Sequence, residues 1–483
     1  MLETITAFFD LNPASYLYSQ WLFLRLLGLV YLVAFLSLSV QIRGLWGSQG
    51  ILPFANRFAH LKRLKLSWRG VYYFPSLFWI NTSNATLLGI GFLGIVASLA
   101  LIFNIFPIIA LIVLWITWQS FLTVDTVFMR LQSDSLLAET GFFAIFFALL
   151  TPPPLLALLC LWFLFFRFVF MAGIVKVLSG DRHWRYGTAL QIHFETQPLP
   201  NPLSWYAHRL PRNILRFLAY STIIVEVVIP FFIILPAPFR LAVFILSVML
   251  QLGIIATGNY SFLNWIACLL AVPLLHNQYI QPWLGPLVTI QPTPHNDTLY
   301  FLVSIVSVAF VFLGALHIVR LWVRRGRIFN IFNHIGHLHL SNSYGIFAVM
   351  TTVRREILIQ GSVDGSEWIE YPFKWKPGDV TKNAPQMAPH HPRIEWQLWF
   401  AALGHYQDYP WILQMLNSLL EGSTAVTALF SNNPFPATPP KYVRALLYEY
   451  RFTDRKTKKE TGRWWNKSWV RTYVDSVSLD SFQ

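Results

Sequence analysis

The chain has 483 residues, of which 55% are hydrophobic, 17% aromatic and only 12% charged. Soluble domains carry about 25% charged residues, so a chain this apolar needs lipid around it, and a disordered, collagen-like or cytosolic multidomain protein is excluded. Its 36 Lys and Arg against 22 Asp and Glu give a net charge of +14; these bases gather in loops between apolar runs and in the last third, which points to anionic lipid headgroups and not to nucleic acid.

A helix crosses roughly 30 Å of hydrocarbon with about 20 apolar residues. Runs near 20–40, 87–104, 105–122, 136–151, 155–178, 214–235, 240–258, 261–276 and 299–323 predict eight or nine spans, written here as nine. Several are short or joined by tight turns such as Thr151-Pro152-Pro153-Pro154. The first run does not have the form of a cleavable signal peptide: Glu3 and Asp10 precede it, it is too long, and no small-residue cleavage site follows. Cys160 and Cys268 both lie inside apolar runs, so neither a disulfide framework nor a CxxC site is expected. No repeat of 20–50 residues is evident.

After Arg320, Arg324, Arg325 and Arg327 the pattern changes. Tyr344 to Ile359 predicts two β-rich stretches around Arg354 and Arg355, and Val363-Asp364-Gly365-Ser366 predicts a turn before Trp368–Trp375. Arg393–Leu403 and Trp411–Leu420 predict helices, Tyr442–Phe452 a strand, and a basic tail carries Trp464 and Trp465. The expected fold is an α-helical polytopic membrane bundle over 1–326, followed by a soluble β-rich domain over 327–483, β-sandwich-like or α+β. The first loop holds Arg43, Arg57, Lys62, Arg63, Lys65 and Arg69, and the loop after the fifth span is also basic. With nine spans the positive-inside rule places these loops and the C-terminal domain in the cytoplasm.

The most unusual segment runs from Lys176 to Pro211. Prolines at 198, 200 and 202 predict an extended, hydrogen-bond-poor path. Asp181, Trp184, Arg185, His193, Glu195, Gln197, Trp205 and His208 on that path form a candidate functional loop at the membrane surface. The plain alternative is an interfacial loop using Trp and Tyr as headgroup anchors. Ionisable residues within apolar runs are functional candidates by default; here they are Arg25, Glu139, Arg167, Lys176 and Glu226, with Asp134 just before the fourth run. Arg167 with Glu139 or Glu226 reads equally as a buried structural pair. Lys176 ends a very apolar helix, where desolvation makes a lysine a usable base, or else it snorkels. His334, His337 and His339, with His390 and His391 downstream, lack the companion ligands of a zinc site, so no metal is expected. There is no Gly-rich phosphate loop, GxSxG or HExxH.

The strings SDSLLAETGF (133–142), GDRHWR (180–185), HFETQPLPNP (193–202) and GNYSFLNW (258–265) resemble the lipase maturation factor family. So do HLSNSYG from His339, KPGD from Lys376, WFAA from Trp399, NPF from Asn433 and GRWW from Gly462, all in order. The resemblance implies a multi-pass membrane factor that helps lipases fold and assemble, with the C-terminal domain contacting the client. It adds the intramembrane polar residues Asn259 and Asn264, and His339, Asn342 and Tyr344 at the domain start, as site candidates. Trp375 and Pro385 stand where vertebrate members carry cysteines, so thiol redox work is not expected. The compact chain reads as a bacterial homologue, in the cytoplasmic membrane; a eukaryotic one belongs in the endoplasmic reticulum membrane, with its C-terminal domain facing the lumen, opposite to the charge-bias result.

A fainter similarity links Ala172-Gly173-Ile174-Val175-Lys176, followed by Trp184, to the segment of vitamin K-dependent γ-carboxylase that holds its catalytic base. Two functions are therefore weighed. The first is a non-enzymatic maturation factor for secreted or membrane proteins such as lipases or other hydrolases. The second is a membrane enzyme on a lipid- or quinone-like substrate, with Lys176 as base and His193 and Glu195 nearby. No cofactor is identified by motif, a quinone- or lipid-like ligand being compatible; membrane lipids and client proteins are the expected partners.

Overall fold

The structure is a computed structural model that describes residues 9, 11–64, 67–323 and 326–482. Glu3, Asp10, Lys65, Arg324 and Arg325 lie outside the described residues. All nine apolar runs are helical: α1 (Leu17–Ser39), α2 (Asn84–Ile102), α3 (Pro107–Val124), α4 (Gln132–Phe147), α5 (Leu155–Leu178), α6 (Arg212–Val227), α7 (Ala237–Thr257), α8 (Leu263–Ala271) and α9 (Asp297–Val319). Seven are long and apolar enough to cross a membrane once the 3-10 turns flanking α1 and α6 are included; α4 and α8 are shorter. Nine apolar runs thus give seven full-length helices and two short ones inside the bundle. The chain is a multi-pass membrane protein.

Local chemistry sets the boundaries. Ser83 Oγ accepts the Thr86 N–H and Asn296 Oδ1 accepts the Leu299 N–H, capping α2 and α9. Pro154, Pro211 and Pro236 sit immediately before α5, α6 and α7, where a missing N–H costs nothing. Between spans, lipid offers no hydrophobic driving force, so association depends on close van der Waals contact at small residues. Gly94 of α2 lies against the Phe35 ring of α1, with no room for a Cβ.

The connections from α1 to α2 and from α5 to α6 lie at one end of the bundle, together with the C-terminal region, whereas the connection from α8 to α9 lies at the other end, where Asn277 bonds Tyr18 and Ala14. Ser37 at the end of α1 hydrogen-bonds His390 at 3.0 Å, Ser423 Oγ donates to Gln49 O at 2.6 Å, and Tyr72 Oη donates to His334 O at 2.9 Å. The basic first loop and the basic segment after α5 therefore share one face with the C-terminal region.

That region holds one antiparallel sheet in the order β2-β1-β3-β4, with β1 (Arg354–Ser362), β2 (Ile369–Tyr371), β3 (Tyr442–Phe452) and β4 (Trp465–Val477). Ile357 faces Leu447 in the β1–β3 register, and Phe452 faces Trp465 across β3–β4. Helices α10 (Arg393–Ala401) and α11 (Trp411–Leu420) pack Ile394, Leu398, Ile412 and Leu416 into one core with Ile357, Ile359, Val443 and Leu447. Among the described residues the sheet is single and helix-covered, an α+β arrangement without the second layer of a sandwich. Two local expectations change. The stretch 344–353 holds no strand, its Phe347 carbonyl and Met350 N–H bonding instead to Trp184 and Asp181 of the Lys176–Pro211 segment, and the tail from Trp465 is the long strand β4.

Candidate functional site

The Lys176–Pro211 segment lies between the bundle and the sheet. It contains short helices at Arg182–Arg185, Leu190–Thr196 and Ser204–Ala207. The expected hydrogen-bond-poor path is instead densely bonded, because neighbours supply the partners that the prolines deny it. Arg354 of β1 donates to Glu195 O, Gln197 O and Pro198 O at 3.2, 2.5 and 3.1 Å. Asn259 Nδ2 donates to Pro200 O and Pro385 O, while its Oδ1 accepts the N–H of Met387 and of Ala388. Asn201 Nδ2 reaches Ile255 O and Ala256 O at the end of α7.

Most of the predicted loop residues turn out to join this segment to the C-terminal region. Asp181 Oδ1 caps its own short helix at His183 N, and Oδ2 accepts the Met350 N–H at 2.7 Å. Trp184 Nε1 donates to Phe347 O, Trp205 Nε1 to Thr453 O, and Glu195 Oε2 accepts the Phe452 N–H at 2.7 Å. Burial raises the Glu195 pKa, and the Phe452 N–H works against that shift. His208 packs on the Phe452 ring, and burial with neighbouring Arg209 holds its imidazole down at about 4. Arg185 is exposed, its guanidinium over the Tyr186 ring.

Beneath the segment lies a cavity of about 430 Å³ between α5, α6, α7 and the loop. Here Lys176, His193, Glu226 and Asn264 come together with Tyr260 and Trp184. Lys176 Nζ donates to Glu226 Oε2 at 2.5 Å, and the Trp184 ring lies 5.4 Å from the ammonium. Gly173, on the same face of α5, makes the pair possible: a Cβ there would stand 2.6 Å from Glu226 Cβ. The hydrogen-bond pattern fixes the His193 tautomer. Gln197 Nε2 faces Phe194 O, Ser204 Oγ and Thr257 O, so Gln197 Oε1 takes the Tyr260 hydroxyl proton at 2.9 Å. Tyr260 Oη must then receive the N–H of His193 Nε2 at 2.8 Å, leaving Nδ1 as a bare lone pair. Burial, reinforced by Lys176, holds this imidazole down at about 4, so it is neutral.

Glu195, predicted beside His193 as a second acid–base group, points to the sheet instead. Glu139 and Arg167 form their own buried pair in the bundle. Glu139 Oε2 also accepts the Asn342 N–H at 2.9 Å, Asn342 Nδ2 at 3.0 Å and Tyr344 Oη at 2.5 Å, while Arg167 donates to Ser341 Oγ. His339 closes this turn through Asn342, its imidazole held at about 4 by burial. Asp134 meets Arg393 through two bonds of 2.8 Å. Among the described residues no three His, Cys, Asp or Glu side chains are placed to hold a metal ion.

Several residues escaped the sequence reading. Arg393, Arg354 and Tyr260 organise these contacts, and Glu356 bridges Arg354 and Lys376. Glu395 accepts the N–H groups of Trp375 and Lys376, and burial lifts it to about 7. Only Arg240 carried a readable signal, as an arginine inside an apolar run; it donates to Leu235 O and Tyr16 Oη.

Residues 18–282 match the family described as the lipase maturation factor transmembrane domain, and residues 340–475 the lipase maturation factor C-terminal domain. Lipase maturation factor 2 of Rattus norvegicus is 31% identical over 591 residues, covering 95% of this chain and 83% of that protein. Lipase maturation factor 1 of Homo sapiens is 30% identical over 519 residues, covering 98% and 90%. Lipase maturation factor 2 of Gallus gallus is 30% identical over 581 residues, covering 95% and 81%. No solved structure matches. These similarities favour the maturation factor over the carboxylase-like enzyme, and with both regions matched in order the chain belongs to the lipase maturation factor family.

Proposed function

We propose that this chain is a membrane-embedded factor that brings lipases to their folded, assembled state during export. The observation that carries this role is that both family regions are present and locked together. Asp134 and Glu139 of α4 each hold a different stretch of the C-terminal region, so the sheet is presented at a fixed place on the bundle. Client contact is assigned to that sheet, whose edge strand β4 exposes Trp469 at 61%. Edge strands offer unpaired backbone groups to an unfinished chain.

The membrane is the one that lipases cross: the cytoplasmic membrane in a bacterium, or the endoplasmic reticulum membrane in a eukaryote. Deleting the gene should abolish secreted lipase activity while lipase transcript persists, and the wild-type chain should restore it. Trp469→Ala should lower secreted activity with the factor still abundant. Unchanged lipase activity in the deletion strain defeats the proposal. Ser468→Cys, probed with a membrane-impermeant maleimide, reports which side of the membrane carries the sheet.

A further inference from the structure

The cavity under the Lys176–Pro211 segment has a mouth on the outer surface of the bundle. Leu218 of α6 with Leu246 and Met249 of α7 line it and are also exposed, Met249 at 62%. Both helices are mostly uncovered by protein, so this mouth opens toward lipid tails. A molecule entering there comes from the bilayer. The volume of about 430 Å³ falls within the range of about 300–1,000 Å³ that holds one small ligand.

The polar lining states what its occupant must offer. Lys176 and Glu226 neutralise each other, and His193 is uncharged. An added charge would stand without a counter-ion in apolar surroundings, which is costly. Two acceptors, His193 Nδ1 and Gln132 Oε1, have no protein donor among the described residues. Asn264 gives its Nδ2 to Gln251 at 2.6 Å and keeps its Oδ1 as a third acceptor. Lys176 makes one hydrogen bond, to Glu226, and retains N–H groups that can donate. The complementary head is uncharged, and it donates hydrogen bonds as well as accepting them. A hydroxyl does both. A quinone only accepts, leaving His193 and Gln132 unpaired, and a fatty acid brings a net charge.

We propose that this cavity binds a neutral, hydroxyl-bearing lipid of the acylglycerol class, its chain between α6 and α7 and its head at Lys176, His193 and Gln132. The test uses the purified full chain in detergent and a long-chain monoacylglycerol carrying a photoreactive diazirine. Cross-links should map to peptides of α5, α6, α7 and the Lys176–Pro211 segment, and unlabelled monoolein should compete. Ser221→Trp places an indole in the cavity and should cut labelling about 10-fold or more. Loss of one head contact in His193→Phe should weaken competition by monoolein up to about 10-fold. Thermal unfolding midpoints identify any variant that has lost its fold. Labelling spread over all outward-facing helices, indifferent to monoolein and to Ser221→Trp, means surface lipid only and overturns the proposal. So does stronger competition by a quinone or by palmitate. The lipase-activity test above is independent, so either proposal can fail alone.

Discussion

Asp134 and Arg393 stand 259 positions apart and meet through two parallel hydrogen bonds of 2.8 Å, both side chains fully buried. The carboxylate begins α4 inside the bundle, and the guanidinium begins α10 in the C-terminal region. Arg393 also donates to Phe128 O at 2.9 Å. Removing one partner of a buried pair leaves an uncompensated charge, so Arg393→Met should cost about 3–5 kcal/mol. Arg393→Lys keeps the charge but not the planar fork, and should recover only part of this. Replacing both, with Asp134→Leu added, should restore much of the stability. Thermal unfolding of the purified protein separates the three.

Glu139 supports a graded series. Tyr344→Phe removes one hydrogen bond to a charged acceptor and should cost about 1.5–3 kcal/mol. Glu139→Gln leaves Arg167 buried without a counter-charge and should cost about 3–5 kcal/mol. The order matters more than the values. If Tyr344→Phe proved the more damaging, Glu139 would not be the hub of this contact.

The helices were legible because lipid dictates composition: any segment that crosses it must be apolar over a fixed length. Their polar partners were not. Asp134 announces that something must neutralise it, but nothing local in His391-Pro392-Arg393 says that Arg393 does so. The same holds for Glu195, which has the residue type of a catalytic carboxylate and the geometry of a sheet anchor at Phe452. The prolines at 198, 200 and 202 pointed to an extended path poor in hydrogen bonds, and the path is densely bonded. They hid how it is held, because Arg354 and Asn259 lie far along the chain. Tyr260 lay inside a motif that the family resemblance used, yet its role as the link between Gln197 and His193 emerges only from geometry.

Acid should loosen the contact between bundle and sheet. His193, His208, His339 and His390 are each held at about 4, first by burial, against about 6.5 when unfolded. A lowered pKa means stability that is complete above about 6.5 and is lost as pH falls towards about 4. Glu395, lifted by burial to about 7, acts oppositely: its contribution is complete below its unfolded value of about 4.3 and is lost as pH rises through about 7. Glu195 shares that sign. Four imidazoles outnumber two carboxyls, so the unfolding midpoint should fall between about pH 7 and about pH 5. A midpoint that rises over that interval would show the carboxyls dominating.

Lys176 and Glu226, at 2.5 Å and 50 positions apart, offer the sharpest test because base and ion pair predict different failures. Lys176→Met keeps the stem and removes the ammonium. Glu226 would then be a buried carboxylate without its counter-charge, and stability should fall by about 3–5 kcal/mol. Adding Glu226→Leu removes the orphan and should restore much of the loss. Gly173→Val tests the same contact from the backbone side: its Cβ would press on Glu226 and push α6 away from α5, separating the pair while leaving both charges present. It should therefore resemble Lys176→Met in stability. A catalytic base would behave otherwise, with activity falling about 100-fold or more in a chain of unchanged stability. Lys176→Met with wild-type stability and wild-type lipase secretion would leave the pair without either role.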